Sequence, residues 1–298
     1  MKNLSGSSAI LTGASRGIGI HIARALARQG INLALVARST GALDKVSDDV
    51  QSFDVKTAVI PADLSETRQV EDLAKKAEKE LGPVDILINN AGVEFTAPFE
   101  EYPAGELETE VQVNLLAPML LTRFVLPGML KRKHGHIVNI SSLAGKTGLP
   151  FQTPYGSTKA GLVMFSHSLR AELLNNPVGV SVICPGFVAD DGMYARVEKN
   201  GLRAPKLMKP SAIDSVTTAV IRAIKKDVAE IIVNPLPMRP GVVLRELFPG
   251  ITPYCTNSPE QRNSAEKYPF FLPNLNMKGF HCWLPYRLLN CACLTLFS

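Results

Sequence analysis

The chain has 298 residues, of which 46% are hydrophobic and 20% are charged, and this balance supports a sizeable core and excludes global disorder. The net charge of +5 is mild for this length and does not indicate nucleic acid as a partner, so we interpret the basic run 131–134 as a solvated helix end. Neither a membrane span nor a signal peptide is expected, because no run reaches about eighteen apolar residues and strand-like sequence begins by Ser8 without a cleavable leader.

The first predicted elements are a strand, a glycine-rich turn and a helix. The apolar run Ser8–Thr12 predicts a buried strand, and apolar residues at helical spacing predict a helix from Ile18 to Arg28. The turn between them has the spacing Gly-x-x-x-Gly-x-Gly, and its glycines would let the backbone approach a pyrophosphate at the helix N-terminus. The residues of this turn that we predict to contact a dinucleotide are Gly13, Ser15, Arg16, Gly17, Ile18 and Gly19.

The end of the second predicted strand bears on the choice of cofactor. Ile31–Val36 is that strand, and Arg38 follows it where a dinucleotide-binding fold places the adenosine ribose. An acidic residue there would hold both ribose hydroxyls and suit NAD, whereas a guanidinium matches a 2′-phosphate. Arg38, together with Arg16 from the glycine turn, therefore favours NADP. The alternative is that both arginines are merely exposed surface residues.

Strands and helices alternate along the rest of the chain. The further predicted strands are Thr57–Pro61, Asp85–Ile88, His136–Ser142, Gly179–Cys184 and Ala229–Val233. The further predicted helices are 68–81 with Ser65 as its N-cap, 106–130, 155–174 and 211–226. This alternation predicts an α/β fold with a doubly wound, parallel, seven-stranded sheet and helices on both faces. Ligands bind such sheets beyond the carboxyl ends of the strands, where Gly13, Arg38, Asp63, Asn90, Ser142 and Pro185 fall.

Cysteines do not suggest a disulfide framework. The chain has 5 of them, an odd number, and Cys184 falls in an apparent buried strand. The others lie in the C-terminal tail: Cys255, Cys282, Cys291 and Cys293. The last two are too closely spaced for the usual zinc-binding pair, so no metal site is expected. The main body of the chain therefore fits a reducing cytoplasm.

Tyr155 and Lys159 form a pair suited to proton transfer, because residues four apart lie on one helix face. A free phenol, with a pKa of about 10, is a poor acid–base catalyst at neutral pH, and a nearby ammonium would lower that pKa. Ser142 would then hold a substrate oxygen while Tyr155 passes it a proton. The alternative is a chance Tyr-x-x-x-Lys spacing in an ordinary helix, against which the convergence of residues at strand ends argues.

Several motifs occur together and in one order: the turn 12–19, Asn89–Gly92, Asn114, Ser142, Tyr155 with Lys159, and Pro185–Gly186. In this the chain resembles the short-chain dehydrogenase/reductase family, from Leu4 to Asn234. The resemblance implies a Rossmann-type fold, a nicotinamide cofactor and a catalytic group of Asn114, Ser142, Tyr155 and Lys159. In that group Asn114 would hold a water of a proton relay and Ser142 would orient the substrate oxygen. Tyr155 would be the general acid or base, and Lys159 would lower its pKa and bind the nicotinamide ribose.

The resemblance also implies further cofactor contacts and an assembly. Asp63 and Leu64 would flank the adenine. The other implied cofactor contacts are Asn90, Ala91, Gly92, Tyr155, Lys159, Pro185, Gly186 and Val188. Members of the family are often homodimers or homotetramers built on the helix that follows Ser142, so such a homo-oligomer is expected here.

Two features depart from the family's pattern. Asp190 stands where a threonine commonly grips the nicotinamide amide, and a carboxylate can accept from that amide but cannot donate to it. The chain also continues well beyond the last predicted strand. We expect residues 1–250 to form a single catalytic and cofactor-binding domain, with 187–210 as a flexible lid. Residues 251–298, which show no clear periodicity, are expected to be an irregular extension.

The leading interpretation is a cytoplasmic NADP-dependent oxidoreductase that transfers a hydride between the nicotinamide and a small carbonyl or secondary alcohol. One alternative is reduction of a 3-oxoacyl thioester on an acyl carrier protein. Basic lid residues would then form its docking patch, unless they are merely solvated: Arg196, Lys199, Arg203 and Lys206. An alternative of another class is a non-catalytic NADP-binding sensor, which Asp190 keeps open and the intact catalytic group disfavours.

Overall fold

A computed structural model describes residues 1, 3–189 and 210–249, and seven of its segments form one sheet. The strands are β1 Ser8–Thr12, β2 Asn32–Ala37, β3 Thr57–Pro61, β4 Ile86–Asn89, β5 Gly135–Ile140, β6 Val178–Pro185 and β7 Glu230–Val233. Every neighbouring pair is parallel, and the order across the sheet is β3-β2-β1-β4-β5-β6-β7. The predicted Rossmann-type, doubly wound α/β fold is confirmed.

Helices connect successive strands and cover both faces of the sheet. They are α1 Ile18–Ala27, α2 Thr40–Gln51, α3 Thr67–Leu81, α4 Ala104–Val111, α5 Ala117–Arg132, α6 Thr153–Glu172, α7 Ile213–Lys226 and α8 Arg239–Leu247. Apolar residues of α1, α2 and α7 pack in one cluster, and those of α3, α5 and α6 pack in another. The central strands are therefore covered on both sides, which explains why β1 is buried along its whole length and apolar from Ala9 to Leu11.

The sheet order places the ligand-binding edge. Chain order reverses between β1 and β4, which are neighbours although β2 and β3 separate them in sequence. A crevice opens outside the carboxyl ends of the strands at such a reversal, because the helices that follow the two strands diverge to opposite faces. The residues after β1, β4 and β5 consequently converge on one edge of the sheet.

The longest helical stretch, 104–132, is not regular throughout. A π-helical turn, Gln112–Leu116, separates α4 from α5. Within the described ranges this 29-residue stretch is the one helix long and apolar enough to cross a membrane by length and composition, and an 18-residue window in it has a mean hydropathy of 1.5. Its residues Leu121, Val125 and Met129 are buried in the core beneath the sheet, as in the core helix of a globular domain.

Three local predictions are corrected. Ser65 is not the N-cap of α3, because its hydroxyl donates to Asp63 Oδ1 over 2.8 Å and the helix begins only at Thr67. The fifth strand ends at Ile140 rather than Ser142, so Ser142 caps a short 3₁₀ turn instead. Helix α8 was not predicted, and no residue of it is buried.

Other predictions fall partly beyond the described ranges. Cys184 is buried and free, as expected for its strand. Most of the predicted lid 187–210 lies outside the described residues, as do Asp190 and the basic lid residues. The tail 251–298 with its cysteines also lies outside them.

Candidate active site

A cavity of about 710 Å³ lies at the carboxyl edge of the sheet. It is lined by every residue predicted to contact the cofactor: Gly13, Ser15, Arg16, Gly17, Ile18, Gly19, Arg38, Asp63, Leu64, Asn90, Ala91, Gly92, Tyr155, Lys159, Pro185, Gly186 and Val188. Ser142 lines the same cavity, whereas Asn114 does not. The structure thus brings the glycine turn and the Ser142, Tyr155 and Lys159 side chains into one continuous space.

The glycine turn packs closely against neighbouring backbone. Gly13 has a φ of 66°, and a Cβ built there would lie 2.8 Å from the Cα of Ala91. A Cβ on Gly19 would lie 2.0 Å from the carbonyl oxygen of Gly13. The first turn of α1 carries no acidic residue, and its N-cap Gly17 offers no side chain to the helix N–H groups. The arrangement fits a pyrophosphate, which binds the N–H groups and the positive end of a helix.

Thr12 and Asn90 fasten the glycine turn to the end of β4. The Asn90 side-chain amide donates to the carbonyls of Thr12 and Gly13 over 3.0 and 3.2 Å. The Thr12 hydroxyl accepts from the backbone N–H groups of Asn90 and Ala91, each at 3.0 Å. These bonds satisfy two buried backbone donors and rigidify the wall along which Asn90 is predicted to meet the cofactor.

At one end of the cavity, the positive charge of Arg38 acts on the carboxyl group of Asp63. Arg38 is exposed and directly follows β2. Burial acts to raise the pKa of Asp63, but hydrogen bonds from Ser65 and the charge of Arg38 outweigh it, so the pKa is lowered. Asp63 is consequently ionised at neutral pH beside an arginine. This end offers a guanidinium to an anion and a carboxylate to a hydroxyl or amine.

At the opposite end, the strand β5 and the helix α6 bring Ser142, Tyr155 and Lys159 together. The Ser142 hydroxyl accepts from Ala144 N over 3.1 Å and so fixes the turn after β5. Ser141 donates to the carbonyl oxygen of Lys159 over 2.8 Å, which ties that turn to α6. The Lys159 ammonium lies 5.7 Å from the centre of the Tyr155 ring. The predicted shared helix face is confirmed.

Asn114 lies behind this wall, in the π-helical turn between α4 and α5. Its amide accepts from Val93 N and donates to Val93 O, each at 2.8 Å, and also donates to the Thr158 hydroxyl at 3.3 Å. The side chain is completely buried. Its bonds explain the asparagine inside a helix, since the π turn aims the amide at the loop after β4. The predicted water-holding role of Asn114 stays a prediction.

Comparison with known proteins decides the family. The model of the family described as short chain dehydrogenase matches residues 7–200, which contain the glycine turn, Ser142, Tyr155 and Lys159. The chain belongs to the short-chain dehydrogenase/reductase family. It is accordingly an oxidoreductase that acts on a CH–OH or C=O group.

Individual relatives of this short-chain dehydrogenase cover most of its length. Ketoacyl reductase HetN from Nostoc sp. is 43% identical over 238 residues, which are 80% of this chain and 82% of that one. D-beta-hydroxybutyrate dehydrogenase from Cupriavidus necator is 31% identical over 67% of this chain and 79% of its own. Among solved structures, a metagenomic short-chain oxidoreductase in complex with NADP superposes with a TM-score of 0.68 at 32% identity, covering 79% of this chain and all of that chain.

The pKa of Tyr155 in this dehydrogenase is shifted in the direction opposite to the predicted one. Burial raises the pKa of Tyr155 and Glu94 raises it further, while a hydrogen bond with Ser142 acts the other way. The prediction that the pKa of Tyr155 is lowered is wrong for this structure, because burial and Glu94 outweigh the lowering effects. The Lys159 ammonium donates to the carbonyl oxygen of Ile140 over 3.0 Å. Burial also lowers the pKa of Lys159 to about 8. At neutral pH Tyr155 is therefore a protonated donor beside a charged lysine.

The sequence prediction missed two carboxyl groups near Tyr155. Glu94 lines the cavity and accepts a hydrogen bond from the side-chain amide of Gln152. Glu110 is 1% exposed, and its Oε1 accepts from Phe95 N over 2.6 Å and from the Tyr102 hydroxyl over 2.8 Å. Glu110 stands four residues before Asn114 on the same helical stretch, a spacing that would have indicated a shared face. Glu94 has no such periodicity to reveal it.

A metal site finds no support in the part of the chain that the structure describes. Within residues 1, 3–189 and 210–249, no three His, Cys, Asp or Glu side chains come close enough together to hold an ion.

Proposed function

We propose that this short-chain dehydrogenase uses NADP(H) to transfer a hydride between the nicotinamide and the carbon of a carbonyl or secondary alcohol. The observation that carries the proposal is the single cavity that joins the glycine turn to Ser142, Tyr155 and Lys159. A cofactor held by its pyrophosphate at α1 would extend along the wall at Asn90 towards those three side chains.

NADP is favoured over NAD by charge at the adenosine end of the cavity. Arg38 directly follows β2, with Arg16 in the same cavity wall, and a guanidinium pairs well with a phosphate. The metagenomic relative in complex with NADP supports the same choice. The residues proposed to hold the cofactor are those predicted from sequence, with Asp63 and Leu64 beside the adenine.

The proposed roles at the reacting end follow from the hydrogen-bonding groups present. NADPH, when bound, supplies the hydride to the carbonyl carbon. Ser142 donates a hydrogen bond to the substrate oxygen and orients it, and Tyr155 transfers its phenolic proton to that oxygen. The positive charge of Lys159 beside the ring stabilises Tyr155 after it loses the proton. Asn114 holds Val93 in place behind this wall, and its predicted role in a water relay remains part of the proposal.

Organisation, assembly and location complete the proposal. Residues 1–250 are proposed to form one catalytic and cofactor-binding domain, followed by the extension 251–298, because the last strand among the described residues ends at Val233. A cytoplasmic homodimer or homotetramer is proposed from the resemblance to the family, together with a small-molecule substrate and no nucleic-acid partner. Helix 104–132 is proposed as a core helix rather than a membrane span, because α5 lies in the core.

Reduction of a 3-oxoacyl thioester is a second candidate, favoured by the 43% identity to ketoacyl reductase HetN. It concerns the same chemistry on a substrate attached to a carrier, and the basic lid residues that are candidates for its docking patch lie outside the described ranges. A non-catalytic NADP sensor is disfavoured, because Ser142, Tyr155 and Lys159 converge in one cavity.

The test is steady-state oxidation of NADPH and NADH with a panel of ketones and 3-oxoacyl thioesters. We expect NADPH-dependent turnover, lost in Tyr155→Phe, with thioesters preferred only under the second candidate. Binding of NADPH without turnover of any panel member, and without reduction of NADP⁺ by the matching alcohols, would support the sensor and overturn the enzyme.

A further inference from the structure

A group of polar side chains surrounds the loop after β4, beside Tyr155. We call Glu94, Gln152, Glu110 and Tyr102 the glutamate cluster. Glu94 and Gln152 line the cavity together with Ser142 and Tyr155, whereas Glu110 and Tyr102 lie behind Glu94. No residue of this cluster has a part in the proposed hydride transfer.

The backbone that carries Glu94 is held from both sides by buried side chains of one helical stretch. Asn114 bonds both backbone groups of Val93, and Glu110 accepts from Phe95 N. The second oxygen of Glu110, Oε2, is buried and has no hydrogen-bond partner among the described residues. Burying a carboxyl with one oxygen unpaired is costly, so Glu110 holds Phe95 N at some cost in stability.

The side chain of Glu94 is oriented from the other side of the cavity. Gln152 immediately precedes α6, the helix that carries Tyr155, and its Nε2 donates to Glu94 Oε1. Oε2 of Glu94 makes no hydrogen bond to any of the described residues. One carboxyl oxygen is thus fixed by protein, and the other remains available in a cavity that already contains Ser142 and Tyr155.

We propose that Glu94, oriented by Gln152, selects the substrate by accepting a hydrogen bond from a hydroxyl or N–H group near the reacting carbonyl. The same carboxyl disfavours a substrate with a carboxylate at that position, because two like charges would meet in a partly desolvated site. This inference rests on the proposed reduction of a carbonyl between Ser142 and Tyr155. Glu94 is a specificity-determining residue in this scheme and takes no part in proton transfer.

The selectivity should depend on pH. Burial raises the pKa of Glu94 to about 7, the charge of Glu110 raises it, and the charge of Lys159 lowers it. The other ionisable groups that sense its charge are Tyr155 and Tyr102. As pH rises through about 7, Glu94 loses its proton, so rejection of a carboxylate substrate strengthens and acceptance of a donor group is retained.

The test uses four ketones of similar size that differ in one terminal group: pentan-2-one, 4-methoxybutan-2-one, 4-hydroxybutan-2-one and 4-oxopentanoate. At pH 8 the wild type should prefer the hydroxy ketone to its methyl ether by about tenfold in kcat/KM, and should disfavour the carboxylate. Glu94→Gln, which removes the charge with little change in shape, should improve the carboxylate about tenfold relative to pentan-2-one. Glu94→Leu should abolish the preference for the hydroxyl.

The matched control is Glu101→Gln, because Glu101 is exposed in the neighbouring 3₁₀ turn and does not line the cavity. It should leave all four ratios unchanged. A purely structural role of Glu94 would lower kcat/KM for the four ketones together and leave their ratios intact, which would overturn the inference.

Equilibrium binding separates this inference from the proposed function. The four ketones are titrated calorimetrically into the enzyme with NADP⁺. Their affinities for the wild type should follow the same order as the kcat/KM values, and the Glu94 variants should lose this order. If none of the ketones turns over but the order of binding holds, the proposed reaction fails and the selectivity stands. If binding shows no order, or no ketone binds, the assignment of Glu94 is wrong.

Discussion

The part of the cavity around the glycine turn and the part around Tyr155 are lined by different kinds of groups. We call the first the backbone end and the second the ionisable end. Around the glycine turn, the wall consists mainly of backbone, glycines and short side chains together with Arg16, and Asn90 and Thr12 direct their polar groups to each other's backbone. Around Tyr155, the wall includes ionisable groups that are buried or half-buried, among them Lys159 and Glu94. The first end presents fixed N–H groups, whose capacity to donate hydrogen bonds does not change with pH, whereas the second end has protonation states set by its own neighbours.

The difference suits the two ends to different ligand groups, a pyrophosphate at the first and a reacting carbonyl at the second. A pyrophosphate is the same in every turnover, so a rigid backbone cradle suits it. A reacting carbonyl gains a proton in each cycle, so the groups around it must change charge near the working pH. The burial that raises the pKa of Tyr155 and lowers that of Lys159 moves both groups towards their neutral forms, and the two glutamates oppose this for the lysine.

The largest effect is expected from Tyr155→Phe, which changes only the ionisable end of the cavity. Only the phenolic hydroxyl is lost, so turnover should fall by about 10²- to 10⁴-fold because the general acid is absent. The dissociation constant for NADPH should stay within about threefold of the wild type, since the cradle is untouched. Single-turnover kinetics and a fluorescence titration of NADPH measure the two quantities. Turnover within about threefold of the wild type would remove Tyr155 from the acid role.

Gly19→Ala changes only the backbone end of the cavity. The added Cβ would lie 2.0 Å from Gly13 O, so the turn must shift and the affinity for NADPH should fall by about 100-fold or more. Gly41→Ala is the matched control, because Gly41 lies in α2 and a methyl group added there would meet nothing within 4 Å. Thermal unfolding of both variants shows whether the fold persists. Unchanged NADPH affinity in a folded Gly19→Ala protein would contradict the pyrophosphate assignment.

Arg38→Asp tests how far charge supplements the backbone cradle. Loss of the proposed phosphate contact should cost about 1.5–3 kcal/mol, which is about ten- to a hundredfold in affinity for NADPH, and should erase or reverse the preference over NADH. Turnover at saturating cofactor should change little. Arg68→Asp provides the same change of charge on the exposed face of α3, away from the cavity. Titration of both cofactors into each variant would reject the assignment if Arg38→Asp kept its NADPH preference.

The smallest effect concerns pH at the ionisable end. The pKa of Lys159 is lowered to about 8 by burial, so the lysine loses its charge as pH rises through that value, and kcat/KM for reduction should decline there. Glu94→Gln removes a charge that raises the pKa of both Lys159 and Tyr155, so the decline should move to lower pH by less than about one unit. Glu101→Gln should not move it. A shift to higher pH would mean that Glu94 does not act on these groups.

Much of the fold was predictable because its determinants are local. The strands are largely apolar runs, and several are followed directly by a small or polar residue, such as Gly13, Asn90 or Ser141. Parallel strands place such residues on one edge, so the cavity wall could be derived from chain order alone. The errors at Ser65 and Ser142 concern element ends, where side-chain bonds to neighbouring backbone decide the boundary.

The ionisable end was less predictable because its properties depend on burial and on distant partners. The spacing of Tyr155 and Lys159 correctly predicts a shared helix face, but the direction of the ammonium depends on Ile140, which β5 contributes. Glu94 and Glu110 meet only in the folded chain, through a loop and a helix. A pattern of residue types does not specify which carboxyl becomes buried, so it does not predict the pKa values either.

The π-helical turn fixes the length of the helical stretch that contains it. Each residue advances an α-helix by about 100°, so adding or deleting one residue between 112 and 116 would rotate α4 relative to α5 by that angle. Glu110 would then leave Phe95, or Met129 would leave the core, since the two lie on opposite sides of the turn. A change of length in this turn would therefore disrupt the contacts on one side of it, and insertions in related chains should consequently fall outside 110–129.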